Sequence, residues 1–334
     1  MSIQVLRAGL LTSIQDLGRR GYQKYGVIVN GGMDTYSLRI ANLLVGNEEG
    51  EGVLEITLLG PSLQVAKHTL LAVTGGNLSP TINGQPVPMW RPVYIQQDSI
   101  LSFGACQSGC RSYLAVAGGY DILKIMGSKS TYLRAGIGGF QGRALQAGDT
   151  LPLGCLNETA KQFIQQLASK KTRDSFLSTP WYAEKKHIPR DAQNIMVRIT
   201  RGNQFEQFTA TSQQQFLDSV FQVKTQSDRM GYRLAGPVLA LANPLEMISE
   251  AVTFGTVQVP PDGNPIILLA DRQTAGGYPK IAQVAIADLP SIAQARPGNN
   301  IQFQEISLEK AERLYLEKEN DIQQIKTAIR LKFA

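Results

Sequence analysis

The sequence predicts a mainly β chain in two lobes with a few flanking helices. Short β-branched and aliphatic runs recur between Gly, Pro and Asn turn signals in both halves, which indicates a sandwich or barrel. A polar, lysine-rich stretch from about Asn157 to Gln193 separates those halves. The length, 334 residues, exceeds the roughly 250 to 300 at which a single hydrophobic core stops growing. We therefore divide the chain into an N-terminal β-barrel lobe (1–154), a helical connector (155–193) and a C-terminal β lobe with a terminal helix (194–334).

In the first lobe the predicted strands are Val53 to Leu59, Leu70 to Thr74, Arg91 to Gln96, Ile100 to Phe103 and Ser112 to Val116. Asn83-Gly84 predicts a tight turn, because both residues tolerate positive φ. Asp34 is placed to cap a helix whose Tyr36, Ile40, Leu43 and Leu44 share a face, and Gly46 is placed to end it. Phe163 and Leu167 would dock the connector. Beyond it, Ile195 to Thr200, Val238 to Leu241, Thr256 to Val259, Ile266 to Ala270 and Ile281 to Ile286 are predicted strands. Ser212 to Phe221 is predicted as a helix, with Ser212 and Gln215 in capping-box spacing. The tail from Leu308 to Lys332 has a helical stripe of Leu308, Ala311, Leu314 and Tyr315.

Composition narrows the function. A hydrophobic content of 43% with 18% charged residues is that of a folding globular chain. The formal charge of +6 comes from scattered Lys and Arg without a basic run interleaved with aromatics, so nucleic acid is not an expected partner. The N-terminus lacks an apolar signal core and no apolar run approaches the ~20 residues of a membrane span. The chain is expected in the cytoplasm, away from membranes. Cys106, Cys110 and Cys155 form an odd set that suits reduced thiols and makes a poor disulfide framework. With only His68 and His187 to join them, the cysteines do not complete a zinc site, and no metal is expected.

Two histidines, one before a strand and one in the connector, also argue against Ser-His-Asp or Cys-His catalysis. Gly127-Ser-Lys-Ser-Thr lacks the order of a phosphate loop. The glycines from Gly136 to Gly142 lack the strand, helix and distant acid of a dinucleotide fingerprint, and leave Arg134 and Arg143 available for an anionic group. The richest polar segment is Asp271-Arg-Gln-Thr-Ala-Gly-Gly-Tyr-Pro-Lys280, delivered by the apolar run Ile266 to Ala270. Polar density at a strand's end is costly to bury and unnecessary for packing, which marks a binding site. Ser227-Asp-Arg-Met-Gly-Tyr-Arg233 and Asp262 belong to the same lobe.

Several long motifs carry a resemblance over roughly Val5 to Phe303. They include Gly26-Val-Ile-Val-Asn-Gly-Gly-Met-Asp34, Asn42-Leu-Leu-Val-Gly-Asn47, Ser128-Lys-Ser-Thr-Tyr-Leu-Arg134 and Gly138-Gly-Phe-Gln-Gly-Arg143. Ser227 to Leu234, Pro260-Pro-Asp-Gly and Asp271 to Lys280 complete the set. The sequence resembles the KipA family, whose members are also called the C subunits of 5-oxoprolinase and correspond to part of the carboxyltransferase domain of urea carboxylase. The resemblance implies a cyclophilin-like β-barrel architecture. It also implies two partner chains, one KipI-like (the B subunit) and one lactamase-like (the A subunit), which together with the KipA-type chain open 5-oxoproline to glutamate at the cost of ATP.

In the urea carboxylase relatives the module transfers a carboxyl group from biotin to urea. A third implied role is regulatory, as a binder that counteracts a KipI inhibitor of a sporulation histidine kinase. The chain has no Met-Lys-Met biotin attachment and no phosphate loop, so ATP is expected to be used by the complex. Placed on these motifs, the expected catalytic residues are Asp271, Arg272, Lys280 and Asp228. The expected substrate-binding residues are Arg233, Arg229, Gln273, Thr274, Tyr278, Asp262 and Arg134. Arginines would hold a carboxylate or oxyanion, Asp271 or Asp228 would accept an amide proton, Lys280 would neutralise charge and Tyr278 would donate a hydrogen bond.

Overall fold

The structure is a computed structural model and describes residues 1–170, 174–185 and 193–333. It is mainly β, with five α-helices among the described residues. His187 lies outside them. Two compact units emerge, one of Met1–Arg19, Asp34–Ile188 and Asp321–Ala334, the other of Arg20–Met33 and Pro189–Asn320. This division gives the connector to the first unit as far as Ile188 and differs from the expected lobes at two further places, each for a packing reason. Met33 lies in the core of the second unit, which draws residues 20–33 there. Ile322, Ile329 and Phe333 lie in a core of the first, which claims the end of the last helix.

In the first unit the strands form two six-stranded sheets over a shared core. One sheet runs Thr150–Pro152, Ser2–Arg7, Ser62–Val65, Ser99–Ser102, Thr81–Ile82, Gln85–Pro86, and the other Phe176–Ser178, Val93–Ile95, Leu70–Asn77, Ser108–Val116, Val53–Thr57, Leu11–Gln15. Alternation along Leu70–Asn77 sends Leu71 and Val73 into the core between the sheets and Leu70 and Ala72 into a second core under the helices. A strand buried on both faces must be an unbroken apolar run, which is how this one reads. At the turn between Thr81–Ile82 and Gln85–Pro86, Asn83 and Gly84 take φ of 49° and 82°, the primed conformation their types allow.

Asp34 caps the helix Thr35–Leu44, its carboxylate accepting from the Ser37 amide at 2.9 Å, a bond worth about 1 kcal/mol. The connector contains the helix Glu158–Ala168 and also a strand, Phe176–Ser178, paired with Val93–Ile95. Backbone pairing at a sheet edge, invisible in a polar lysine-rich stretch, makes it a strand. Phe163 stacks on Phe333 with centroids 3.6 Å apart. On the last helix, Leu308–Phe333, the buried positions in this unit are Ile322, Ile329 and Phe333. Leu308 and Tyr315 of the expected stripe are exposed, so the apolar face begins later than the sequence indicated.

Full barrel closure is found in the second unit. Its order is Asn194–Arg201, Lys280–Val284, Thr256–Gln258, Ile266–Leu268, Gly231–Ala235, Val220–Val223, Asn300–Glu305. A parallel pairing of the first and last of these closes it, from Asn194 opposite Asn300 to Ile199 opposite Glu305. Phe216, Phe221 and Phe303 fill the interior, the first and last stacked at 4.5 Å. The helix Ala210–Asp218 is capped by Thr209, whose side chain accepts from the Ser212 amide at 3.1 Å. Ser212, expected as the cap, instead accepts from the Ala240 amide. Phe221, expected at the helix end, belongs to the strand Val220–Val223. Val238 to Leu241 is not a strand but a loop touching Phe208 by one isolated bridge at Leu241, following Pro237, which has no amide to give a ladder.

One wall of this barrel positions the polar segment. Strands Ile266–Leu268 and Lys280–Val284 run parallel with Thr256–Gln258 between them, antiparallel to both. Parallel neighbours of one strand need a crossover, and residues 272–279 supply it. Ala275–Gly276 of the crossover pairs with Glu250–Ala251 in a two-stranded ribbon.

Candidate functional site

Register divides the Asp271 to Lys280 segment between two ends of the wall. Arg233, Ile266, Gln258 and Lys280 lie level across the strands. Gly231 and Leu268 lie two residues further along, and Asp271 three beyond Leu268. At ~3.3 Å per strand residue these five residues separate Asp271 from Lys280 by roughly 15 Å along the strand direction. The residues expected to act together therefore form two poles.

At the first pole Asp271 is buried and both its oxygens are engaged. Arg229 donates to it from Nε and Nη2, each at 3.0 Å, and Asn30 donates through its carboxamide. The Arg229 Nη2 also donates to the Gly31 carbonyl at 2.6 Å, and the Asp271 amide donates to the Arg229 carbonyl at 2.8 Å. A buried bidentate pair of this kind fixes backbone positions. Arg272, beside it, is different. Its Nη1 donates to the Leu269 carbonyl at 3.2 Å, its Nε is buried without a hydrogen-bond partner among the described residues, and its guanidinium sits 5.7 Å from the Phe254 ring centroid. Burial pulls its pKa down to about 10, the direction expected of a cation without a compensating anion. This side chain has donors to spare.

At the second pole Lys280 is 7% exposed and its ammonium donates to Glu250 at 2.7 Å. That hydrogen bond holds the Glu250 carboxyl below the usual carboxylate range, with the Gln204 side chain contributing in the same direction. Gln204 also accepts from the Lys280 amide at 3.1 Å. Gln258, level with Lys280, is 2% exposed, and its Nε2 is buried without a hydrogen-bond partner. Neither Glu250 nor Gln258 was marked by the sequence. A glutamine inside Thr256-Val-Gln-Val, where every residue is buried, was the signal available for the second.

The remaining predicted residues scatter. Asp228 is exposed in the turn beside the first pole, accepting from the Met230 amide at 2.8 Å. Arg233 is exposed and level with Lys280. Asp262 is exposed in the turn before Ile266–Leu268, at the opposite end of that strand from Asp271, and accepts from Asn264. Gln273 and Tyr278 are exposed and Thr274 half-buried on the crossover. Arg134 is exposed and belongs to the first unit.

The first unit has a polar cluster of its own around Gly127-Ser-Lys-Ser-Thr. Asp16 accepts from the Gly18 amide (2.7 Å), the Lys129 amide (2.6 Å) and the hydroxyls of Ser128 (2.7 Å) and Ser130 (2.6 Å). Lys129 Nζ is held by Glu51 and by the Tyr120 carbonyl. With its amide, hydroxyls and ammonium all committed within the chain, this segment does not fit the phosphates of ATP. A cavity of about 560 Å³ in the same unit is lined by Pro80, Thr81, Pro88, Arg91, Tyr182 and Lys185 among others. It includes none of the predicted site residues.

Residues 25–305 match the family model described as carboxyltransferase domain, subdomain A and B. The chain is similar to the C subunit of 5-oxoprolinase from Haemophilus influenzae, 38% identical over 98% of this chain and 98% of that protein. It is equally similar to the protein of the same name from Escherichia coli K12, 38% identical over 92% of this chain and 93% of that one. The crystal structure of the K. lactis urea amidolyase covers 97% of this chain with a TM-score of 0.86 and 31% identity, though the match spans 20% of that much longer protein.

Proposed function

The chain belongs to the family of the carboxyltransferase domain, subdomains A and B, and on that premise we propose that it is the C subunit of an ATP-dependent 5-oxoprolinase. It would work in the cytoplasm with a KipI-like and a lactamase-like partner chain to open 5-oxo-L-proline to L-glutamate. The observation that carries this reading is the end-to-end likeness to two proteins of that name.

The two poles divide the work. A five-membered lactam is too short to touch both, so one pole takes the lactam and the other an anionic group from elsewhere in the assembly. The Lys280 pole, with Thr274 and Tyr278 on the crossover above it, suits the lactam. Lys280 neutralises the negative charge the ligand carries and Tyr278 donates a hydrogen bond to it. Arg272, desolvated and with N–H groups uncommitted, suits the second anion, with Asp228 nearby to accept a proton. Asp271 acts by holding Arg229 and the turn at residues 30–31 in place. ATP is consumed by the complex, and no step in this chain is routed through it.

Purification with both partner chains and measurement of glutamate released from 5-oxoproline tests the reading. Release that requires ATP and all three chains supports it, and an assembled complex that releases none overturns it. One observation favours a second reading, carboxyl transfer to urea or another small amide with biotin as cofactor. The fold match to a urea amidolyase supports that alternative. Loss of activity on adding avidin would be its signature, and insensitivity to avidin would rule it out.

A further inference from the structure

Lys280 is a buried cation whose carboxylate partner comes from an exposed place. Glu250 sits on a ribbon strand of two residues, its side chain about half exposed, at the end of the exposed stretch 242–250 that carries Ile248 at 88% exposure. A buried ammonium needs a counter-charge. A permanent structural one would be expected from a packed element, as Asp271 is for Arg229, whereas Glu250 can be withdrawn with little loss of packing.

The surroundings of the pair are built for a carboxylate. Gly276 lies directly opposite Glu250 in the ribbon, and a Cβ there would clash with the Gln258 carboxamide nitrogen. The Gln258 carboxamide thus fills the space left by the missing side chain of Gly276, the residue that faces Glu250 in the ribbon. Among the described residues its N–H donors have no hydrogen-bond partner although Gln258 is 2% exposed. An unsatisfied buried amide is costly, and it persists where a ligand supplies the missing acceptor. Gln204 completes the ring, accepting from the Lys280 amide and helping to hold the Glu250 carboxyl below its usual range.

We infer that Lys280, Gln258 and Gln204 form a carboxylate-binding subsite, which Glu250 occupies from the same chain until the carboxylate of a small-molecule ligand replaces it. One carboxylate exchanges for another, so the charge on Lys280 is neutralised throughout. The incoming group gains the Gln258 donors that Glu250 leaves unused. The inference rests on the reading that the crossover lines the site, and it assigns the recognition of 5-oxoproline to that molecule's carboxylate.

The test is calorimetric titration of the purified chain with 5-oxo-L-proline, with 5-oxo-L-prolinamide, which lacks the carboxylate, and with acetate. Glu250→Gln removes the internal competitor. If Glu250 fills the subsite about nine-tenths of the time, the variant binds carboxylates about tenfold more tightly while the amide is unaffected. Gln258→Leu, an apolar replacement of similar size, keeps the melting temperature and weakens both carboxylates. Unchanged affinity for both carboxylates in Glu250→Gln overturns the inference, as does equal tightening of the amide. Tightening of acetate without 5-oxoproline upholds the subsite and counts against the 5-oxoprolinase reading. The subsite and the reaction therefore fail separately.

Discussion

The polar cluster at Asp16 in the first unit and the one around Lys280 and Arg272 in the second are alike in composition and opposite in accounting. Around Asp16, two amides and two hydroxyls converge on one carboxylate, and the neighbouring Lys129 is held by Glu51 and a carbonyl. Around the wall of the second unit's barrel, a guanidinium Nε and a carboxamide Nε2 are buried without hydrogen-bond partners among the described residues, and an ammonium leans on an exposed glutamate. Polar density does not tell structure from site. What separates these two is whether the donors around the central charged group are already spent.

The sharpest way to break that contrast is to remove satisfied groups and leave the spare ones. Asp271→Ala strands the buried Arg229 and should cost about 3–5 kcal/mol of unfolding free energy in a denaturant melt. Any loss of turnover should then follow loss of fold. Asp16→Ala leaves four donors without their acceptor and should cost about 3 kcal/mol or more by the same measurement, with activity per folded molecule retained. If it instead lost activity while keeping its stability, the first cluster would be a site and the contrast would fail.

Removing a spare group should do the reverse. Arg272→Met deletes a desolvated cation with no paired anion, so the melting temperature should hold or rise. ATP-dependent turnover by the reconstituted complex should fall about 10²–10³-fold, the usual cost of one preorganised donor. A stability loss with normal turnover would make Arg272 structural.

The smallest expected effect is a pH dependence. At Glu49 burial would raise the pKa, but hydrogen bonds from Lys326 and Arg39, with their charges, carry it below the ordinary carboxylate value. A depressed folded pKa gives stability that is present above the unfolded value of about 4.3 and is lost as the pH falls through the folded one. Acid titration of the melting temperature should therefore show a decrease below that value, and the decrease should shrink in Lys326→Met. An unchanged decrease would remove this tie between the last helix and Glu49 from the account.

Much of the architecture was legible locally. Asp34 as a cap and Asn83-Gly84 as a turn needed only the chemistry of neighbouring residues. The site was legible as a segment and not as a geometry. Asp271 and Lys280 are nine positions apart in sequence, and only register across three strands shows that they lie at opposite ends of a wall. Glu250 and Gln258 escaped for a related reason. One sits on a two-residue ribbon strand that composition does not mark and the other inside an apolar strand, and what gives them meaning is their shared position around Gly276. Val238 to Leu241 shows the opposite error, in which a β-like composition lacked strand partners to pair with.

The bond from Asn30 to Asp271 joins residues 241 positions apart. On a ribosome adding about 5–20 residues per second, the early strip around Asn30 waits roughly 10–50 s for its partner to emerge. Met33 waits in the same way for the barrel that will bury it. Throughout that interval the strip has no finished barrel to join, so this part of the second unit's core closes only after synthesis has passed Asp271.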